Sequence, residues 1–287
     1  MKVYENRVME SSPDDHLALP SRRRDRIVAF VESHGFARTV DLARELGTSE
    51  VTVRSDFDAL ESAGRLVRVH GGAMSVEQAP LERSFEEVET VSADAKHVIG
   101  VRAAALVRDG QCVILDVGTT TTQIAEALLE RTELIGVTIV TNSLIIALTL
   151  EQFVPRFTVI VTGGTLRPLQ HSLVNPLAMT VLEQITADIA FIGCTGVDVR
   201  HGVTNVNLPE TDLKRLMAKA SKRSFIVADG GKMGEAHLGV IGPLSSFDGL
   251  ITAAAEPAMV EAIRAAGMSV LEADASDDVA RPGDSAF

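Results

Sequence analysis

The chain is 287 residues long, 46% hydrophobic and 23% charged, with 22 Gly, ten Pro, one Tyr and no Trp. That length suits about two domains; the apolar share excludes a wholly disordered chain, and the Gly and Pro counts exclude a fibrous one. A net charge of −12 argues against nucleic acid until it is resolved by segment: residues 21–74 hold nine Arg and no Lys against eight carboxylates, whereas 75–287 hold 16 basic against 27 acidic residues. A duplex is repelled by the second segment and tolerated only by the first.

Residues 1–20 are polar and lack an apolar core, so no secretory leader is expected there and the segment is expected to be a disordered tail. Arg22, Arg23 and Arg24 then open an amphipathic helix in which Ile27, Phe30 and Val31 share a face, stopped at Gly35. Thr39 is placed to cap a short second helix with Leu42 and Leu46 on its stripe, ended by Gly47. Ser49 caps a third helix whose inward stripe is Val53, Phe57 and Leu60. Its opposite face presents Val51, Thr52, Ser55, Asp58 and Ala59, with Arg54 on the flank, a small polar surface suited to base edges and phosphates in a major groove. Asp56 falls nearer the core side, as a structural pairing residue. Leu66, Val67 and Val69 alternate with Arg65, Arg68 and His70 as in a basic hairpin turning at Gly71-Gly72. Residues 21–75 thus read as a winged helix-turn-helix.

The run Ser49 to Phe57, followed by Leu60-Glu61, Gly64 and Arg68-Val69-His70-Gly71-Gly72-Ala73, resembles the DNA-binding head of the DeoR family of bacterial transcriptional regulators. The resemblance implies operator DNA as a partner, met by Arg22, Ser49, Val51, Thr52, Arg54, Ser55, Arg65, Arg68 and His70. The family pattern has a second arginine where this chain has Ser55, which removes one cation from the reading face.

Residues 76–95 are acidic and lack apolar periodicity beyond Phe85, so a linker is expected there. From 96 to 273, helical patterns alternate with β-rich runs at 111–116, 136–141, 157–162, 188–193, 224–229 and 248–252, the signature of βαβ units around a largely parallel sheet. The uncharged stretch 134–150 is broken by Thr141-Asn142-Ser143 and reads as strand, turn and helix, not as a membrane span. Cys112 and Cys194 lie in apolar runs and read as reduced core thiols of a cytoplasmic protein. The histidines have no metal-ligand spacing, and no metal or cofactor is expected. Residues 274–287 are expected to be a second disordered tail.

Ligands of such sheets bind beyond the carboxyl ends of the strands, so the residues just after each strand carry the chemistry. Asp116-Val117-Gly118-Thr119-Thr120-Thr121-Thr122 opens a helix with a glycine turn, free N–H donors and hydroxyls, a phosphate cradle without the lysine of a P-loop or the spaced glycines of a dinucleotide fingerprint. Thr141-Asn142-Ser143 supplies amide and hydroxyl groups at the second strand end. Gly163-Gly164 with Arg167 offers an anion grip at the third. Gly193 to Asp198 is expected at one further strand end, and Asp229-Gly230-Gly231-Lys232 at another. Glu210 and Lys214, four apart on one helical face, read by spacing alone as a surface ion pair.

These motifs also resemble the DeoR-family sensor domain, which implies a fold similar to ribose-5-phosphate isomerases and CoA transferases and a phosphorylated sugar as effector. The departures are Gly231 where relatives commonly have Ser, and Asn175 where a Gly is common. On that resemblance Asp116, Gly118, Thr119, Thr120, Thr121, Thr141, Asn142, Ser143, Gly163, Gly164 and Arg167 surround the effector, with Asp198, Glu210, Lys214 and Lys232. The expected protein is a repressor of carbohydrate metabolism genes that acts as a homo-oligomer on a two-fold operator. The competing reading is a phosphosugar isomerase or acyl-CoA transferase with an accessory head, Asp198 and Glu210 serving as acid and base. It ranks second because such an enzyme needs no winged head. A DNA-architectural role is excluded by the acidic body.

Overall fold

The apolar stripes of the first segment become three helices around one small core. The computed structural model describes residues 20–34, 36–69, 71–74 and 82–275, and the chain divides into two units, Met1–Leu81 and Glu82–Phe287. In the first unit, α1 (Pro20–His34), β1 (Phe36–Arg38), α2 (Thr39–Glu45) and α3 (Glu50–Ser62) precede a hairpin of β2 (Val67–Val69) and β3 (Gly72–Met74). Ile27, Val31, Leu42, Val53, Phe57 and Leu60 are buried together, joined by Val28 and Leu66. β3 lies between β1 and β2 and is antiparallel to both, so the wing carries a third strand that the sequence pattern did not signal.

Ser49 caps α3 as expected, its Oγ accepting the Thr52 N–H at 3.1 Å. Thr39 does not cap α2. The cap position is Arg38, which makes no side-chain capping bond, and Thr39 instead donates its hydroxyl to the Gly71 carbonyl at 3.1 Å. An acceptor brought in by the wing, distant in sequence, takes the hydroxyl that local pattern assigned to the helix. Gly35, His70, both tails at 1–19 and 276–287, and the expected linker at 76–81 lie outside the described residues.

From residue 82 onward the linker expectation is corrected. Glu82 already belongs to the second unit, and α4 (Phe85–Glu89) opens on a capping box. Ser84 Oγ accepts the Glu87 N–H at 3.2 Å while Glu87 Oε2 accepts the Ser84 N–H at 2.8 Å. The Ser-x-x-Glu spacing is a helix-start signal that the acidic composition masked. Then come α5 (Ala93–Ala104), β4 (Cys112–Leu115), α6 (Thr119–Glu130), β5 (Thr138–Thr141), α7 (Leu144–Glu151) and β6 (Thr158–Val161). A hairpin of β7 (Thr165–Arg167) and β8 (Ser172–Val174) leads to α8 (Leu177–Glu183) and β9 (Ile189–Gly193). The chain continues through β10 (Gly196–Asp198), β11 (Gly202–Asn205), α9 (Leu208–Lys219), β12 (Ser224–Val227) and β13 (Gly239–Gly242), and ends in β14 (Gly249–Thr252), α10 (Pro257–Ala265) and β15 (Val270–Glu272).

All six β-rich runs are strands of one seven-stranded parallel sheet ordered β15-β14-β12-β9-β4-β5-β6. Because successive side chains alternate faces, Val113 and Leu115 pack with Ile99, Ile124 and Leu128 on one side, while Ile114 packs with Leu213 and Met217 on the other. Helices cover both faces of the central strands, which is why these are continuous apolar runs, whereas the edge strand β6 leaves Ile160 and Val161 exposed. The 134–150 stretch resolves into β5, a polar turn and α7, and no described helix is long and apolar enough to cross a membrane. β4 is flanked by β5 on one side and β9 on the other, so the chain's direction of travel across the sheet reverses between β4 and β9. A crevice at the carboxyl ends of these two strands is where such a sheet takes a ligand.

Candidate functional site

In the first unit the outward face of α3 is open as its pattern required: Val51 is 71% exposed and Ser55 is exposed beside it. Thr52 is half-buried and its Oγ1 lies 2.8 Å from Ser49 Oγ, so these two hydroxyls hold each other. The cations of this face already have carboxylate partners: Arg54 with Glu50 at 2.8 Å, Arg65 with Asp25 at 3.1 Å, and Arg68 with Asp58. Arg22 is exposed and has no ion pair among the described residues. Asp56 is the pairing residue expected. Its carboxylate is 2% exposed and accepts from Arg23 Nε at 2.5 Å and Arg24 Nε at 2.9 Å, pinning α1 to α3.

At the switch point of the second unit lies Asp116, fully buried just after β4. Its Oδ2 accepts the Gly193 N–H from the end of β9 at 3.1 Å and pairs with Lys214 Nζ, while Oδ1 has no partner among the described residues. Burial pushes the Asp116 carboxyl up to about 6 against the pull of Lys214. Burial alone would lower Lys214, but Asp116 and Glu210 overcome it and hold the ammonium above its ordinary value. The expected surface pairing of Glu210 with Lys214 is therefore wrong in kind: both are buried and each faces another partner. Glu210 takes Arg167 from β7 and the Ser172 hydroxyl at 2.7 Å, and Arg167 reaches on to Glu82 at 2.6 Å.

Gly118 precedes α6 at φ +149, where a side chain is strained, and lets the turn point the helix N-terminus at the crevice. Thr119 is 8% exposed and Thr120 half-buried, and neither hydroxyl has a partner among the described residues. The Thr121 hydroxyl, by contrast, is spent on the Gly118 carbonyl at 2.9 Å. The second-strand groups are also spent on structure: Thr141 Oγ1 accepts the Ser143 N–H, Ser143 caps α7, and Asn142 bridges Val117 N–H to the Leu173 carbonyl. Gly164 is required by packing, since a Cβ there would lie 2.1 Å from the Val174 carbonyl oxygen, and Gly163 faces open space.

Asp198 is not delivered with Gly193 to the edge of the main sheet. It ends β10 in a separate antiparallel sheet, β10-β11-β13. Its carboxylate accepts the N–H groups of Arg200 at 2.9 Å and His201 at 2.8 Å, which outweigh burial and hold it below the ordinary range. Lys232 closes a short turn capped by Asp229 and has no ion pair among the described residues.

The sequence reading missed Lys96, which is 3% exposed and donates to the Val88 carbonyl at 2.5 Å. Burial lowers it; Asp229 attracts it and Lys232 repels it. The signal was present: Lys96 shares the buried stripe of Ile99, Gly100 and Ala103 on α5. A cleft of about 310 Å³ opens here, lined by Lys96, His97, Thr119 and Gln123 with Glu89 and Asp94.

A winged reading head joined in one chain to an α/β unit with a buried charged cluster at its switch point defines a DNA-binding transcriptional regulator with a sensor domain. The chain belongs to the DeoR family: the DeoR-like helix-turn-helix domain matches residues 23–79 and the DeoR C terminal sensor domain residues 91–254. It is 33% identical over 255 residues to the HTH-type transcriptional regulator GlpR of Haloferax volcanii, spanning 88% of this chain and 98% of that protein. It is 26% identical over 240 residues to the glycerol-3-phosphate regulon repressor of Escherichia coli, spanning 84% and 93%. Among solved structures, a ribose-5-phosphate isomerase in complex with phospho-erythronic acid aligns 49% of this chain with 53% of its own at 16% identity and TM-score 0.37, a likeness too faint to argue from.

Proposed function

We propose that this regulator is a repressor of carbohydrate metabolism genes, that it grips operator DNA through α3 and the wing as a homo-oligomer, and that a phosphorylated sugar in the β4–β9 crevice controls it. The carrying observation is the partition of charge. Arg167 and Lys214 are neutralised by Glu82, Glu210 and Asp116, whereas Lys96 and Lys232, near each other and within the field of Asp229, have no carboxylate in ion-pair range among the described residues. An anion is drawn to the second pair and to the free N–H groups and hydroxyls of Thr119 and Thr120. A relative named for a glycerol-3-phosphate regulon supports both the repressor role and a phosphorylated polyol. Work on operator DNA would be done in the cytoplasm.

A thermal-shift screen of phosphorylated sugars tests this. A hit whose shift collapses in Lys96→Met and in Thr120→Val supports the site, and a hit indifferent to both moves it elsewhere. Ribose 5-phosphate and fructose 6-phosphate incubated in deuterated water are expected to show no enzyme-dependent proton exchange; exchange lost in Glu210→Gln restores the enzyme reading.

A further inference from the structure

The segment at the start of the second unit is strapped to the β7–β8 hairpin by four contacts. Glu82 pairs with Arg167 at 2.6 Å, the Arg83 carbonyl accepts from Gln170 Nε2 at 2.5 Å, and Glu86 meets His171 Nε2 at 2.7 Å. Phe85 is buried edge-on to the His171 ring with centroids 6.0 Å apart. The same Arg167 guanidinium holds Glu210, inside the crevice, with its other amino group. We infer that Arg167 is a shared clamp between the sensor crevice and this strap, so that a ligand engaging Glu210 or Arg167 changes the hold on the segment from which the chain runs back to the DNA-binding unit. The inference rests on the sensor reading above and adds its route of control.

The arrangement has a definite sign. Glu82 and Glu210 are like charges on one cation, and Glu82 is raised first by burial and next by Glu210. Removing Arg167 leaves two carboxylates repelling each other, so the strap is released. Neutralising Glu210 removes that repulsion and leaves Arg167 wholly to Glu82, so the strap is held at least as well. A role in packing alone has no such asymmetry, because any loss from the cluster would loosen it.

Hydrogen exchange on the full chain reads this directly at the amides of Ser84, Glu87 and Val88, which are bonded within the strap. Arg167→Gln is expected to speed their exchange at least fivefold, and Glu210→Gln to leave it unchanged or slower. Equal acceleration in both variants overturns the clamp. The second arm measures affinity for a duplex recovered by the wild-type chain from a random-sequence pool. Arg167→Gln and, as a milder variant should that one fold poorly, Glu82→Gln are expected to shift Kd at least fivefold. A Kd within twofold of wild type in a variant whose strap exchanges faster refutes control through the strap. Neither arm uses a sugar, so the clamp and the sensor reading can fail separately.

Discussion

Lys214→Met tests the buried charge at the heart of the crevice through its dependence on pH. Asp116 titrates near 3.9 in an unfolded chain and at about 6 in the fold. A carboxyl raised on folding contributes stability that is fully present below its unfolded value and is lost as pH rises through its folded value. At about 1.4 kcal/mol per unit, the contribution of Asp116 to the wild type falls by about 3 kcal/mol between pH 4 and 6 and then levels off. Methionine keeps most of the lysine's volume but removes the charge opposing burial, so the folded value climbs further and the loss continues past neutrality. At pH 5 Asp116 is mostly protonated in either protein, and the substitution is expected to be neutral within about 1 kcal/mol. At pH 8 it is expected to cost about 2 to 3 kcal/mol, below the 3–5 kcal/mol of a broken pair that cannot reprotonate. Urea titrations of the sensor transition at both pH values give the two differences, and Asp116→Asn in the Lys214→Met background should remove the extra loss at pH 8. A deficit of equal size at pH 5 and pH 8 would refute the assignment of the buried proton to Asp116.

Asp56→Ala strands Arg23 and Arg24 and should cost the head about 3 kcal/mol, seen as a lower melting temperature of the first unit with the sensor transition unmoved. Thr120→Val removes one donor to an anion and should weaken the sugar found by thermal shift about tenfold in calorimetry. Ser55→Arg restores a cation to the reading face and should tighten operator binding while steepening the slope of log K against log salt by about 1.

What could be read from the sequence was what local pattern encodes. Runs such as 111–116 and 188–193 are buried on both faces and announce parallel strands without help from their neighbours. The three-residue strands β7, β8, β10 and β15 are too short to show a period, although β7 pairs with β8, and β10 with β11, as close neighbours in the chain. The crevice shows the same division. Gly118 and the threonines were legible because a helix N-terminus is a local object. The roles of Glu210 and Lys214 were not, because Asp116 lies 98 residues from Lys214 and Arg167 lies 43 from Glu210. Asp198 misled for the opposite reason: its partners are two and three residues away, in its own turn.

The head's charge balance bears on how tightly it can hold a duplex. Arg54, Arg65 and Arg68 all rest on exposed carboxylates, and such pairs are worth only about 0.2 to 1 kcal/mol each. A phosphate therefore takes the arginine at little cost, yet leaves Glu50, Asp25 or Asp58 beside the polyanion, where it repels. Each acid thus discounts the binding its arginine supplies, and a single head should be weak, which favours two heads acting on one operator. Glu50→Gln combined with Asp58→Asn removes two of the three discounts without touching a cation. Fluorescence anisotropy should show the double variant binding random duplex more tightly, with a salt slope steeper by about 1 to 2 and a smaller ratio of operator to random affinity. If affinity and slope both stay at wild-type values, Arg54 and Arg68 do not meet phosphate, and the reading face of α3 must be sought on another side of the helix.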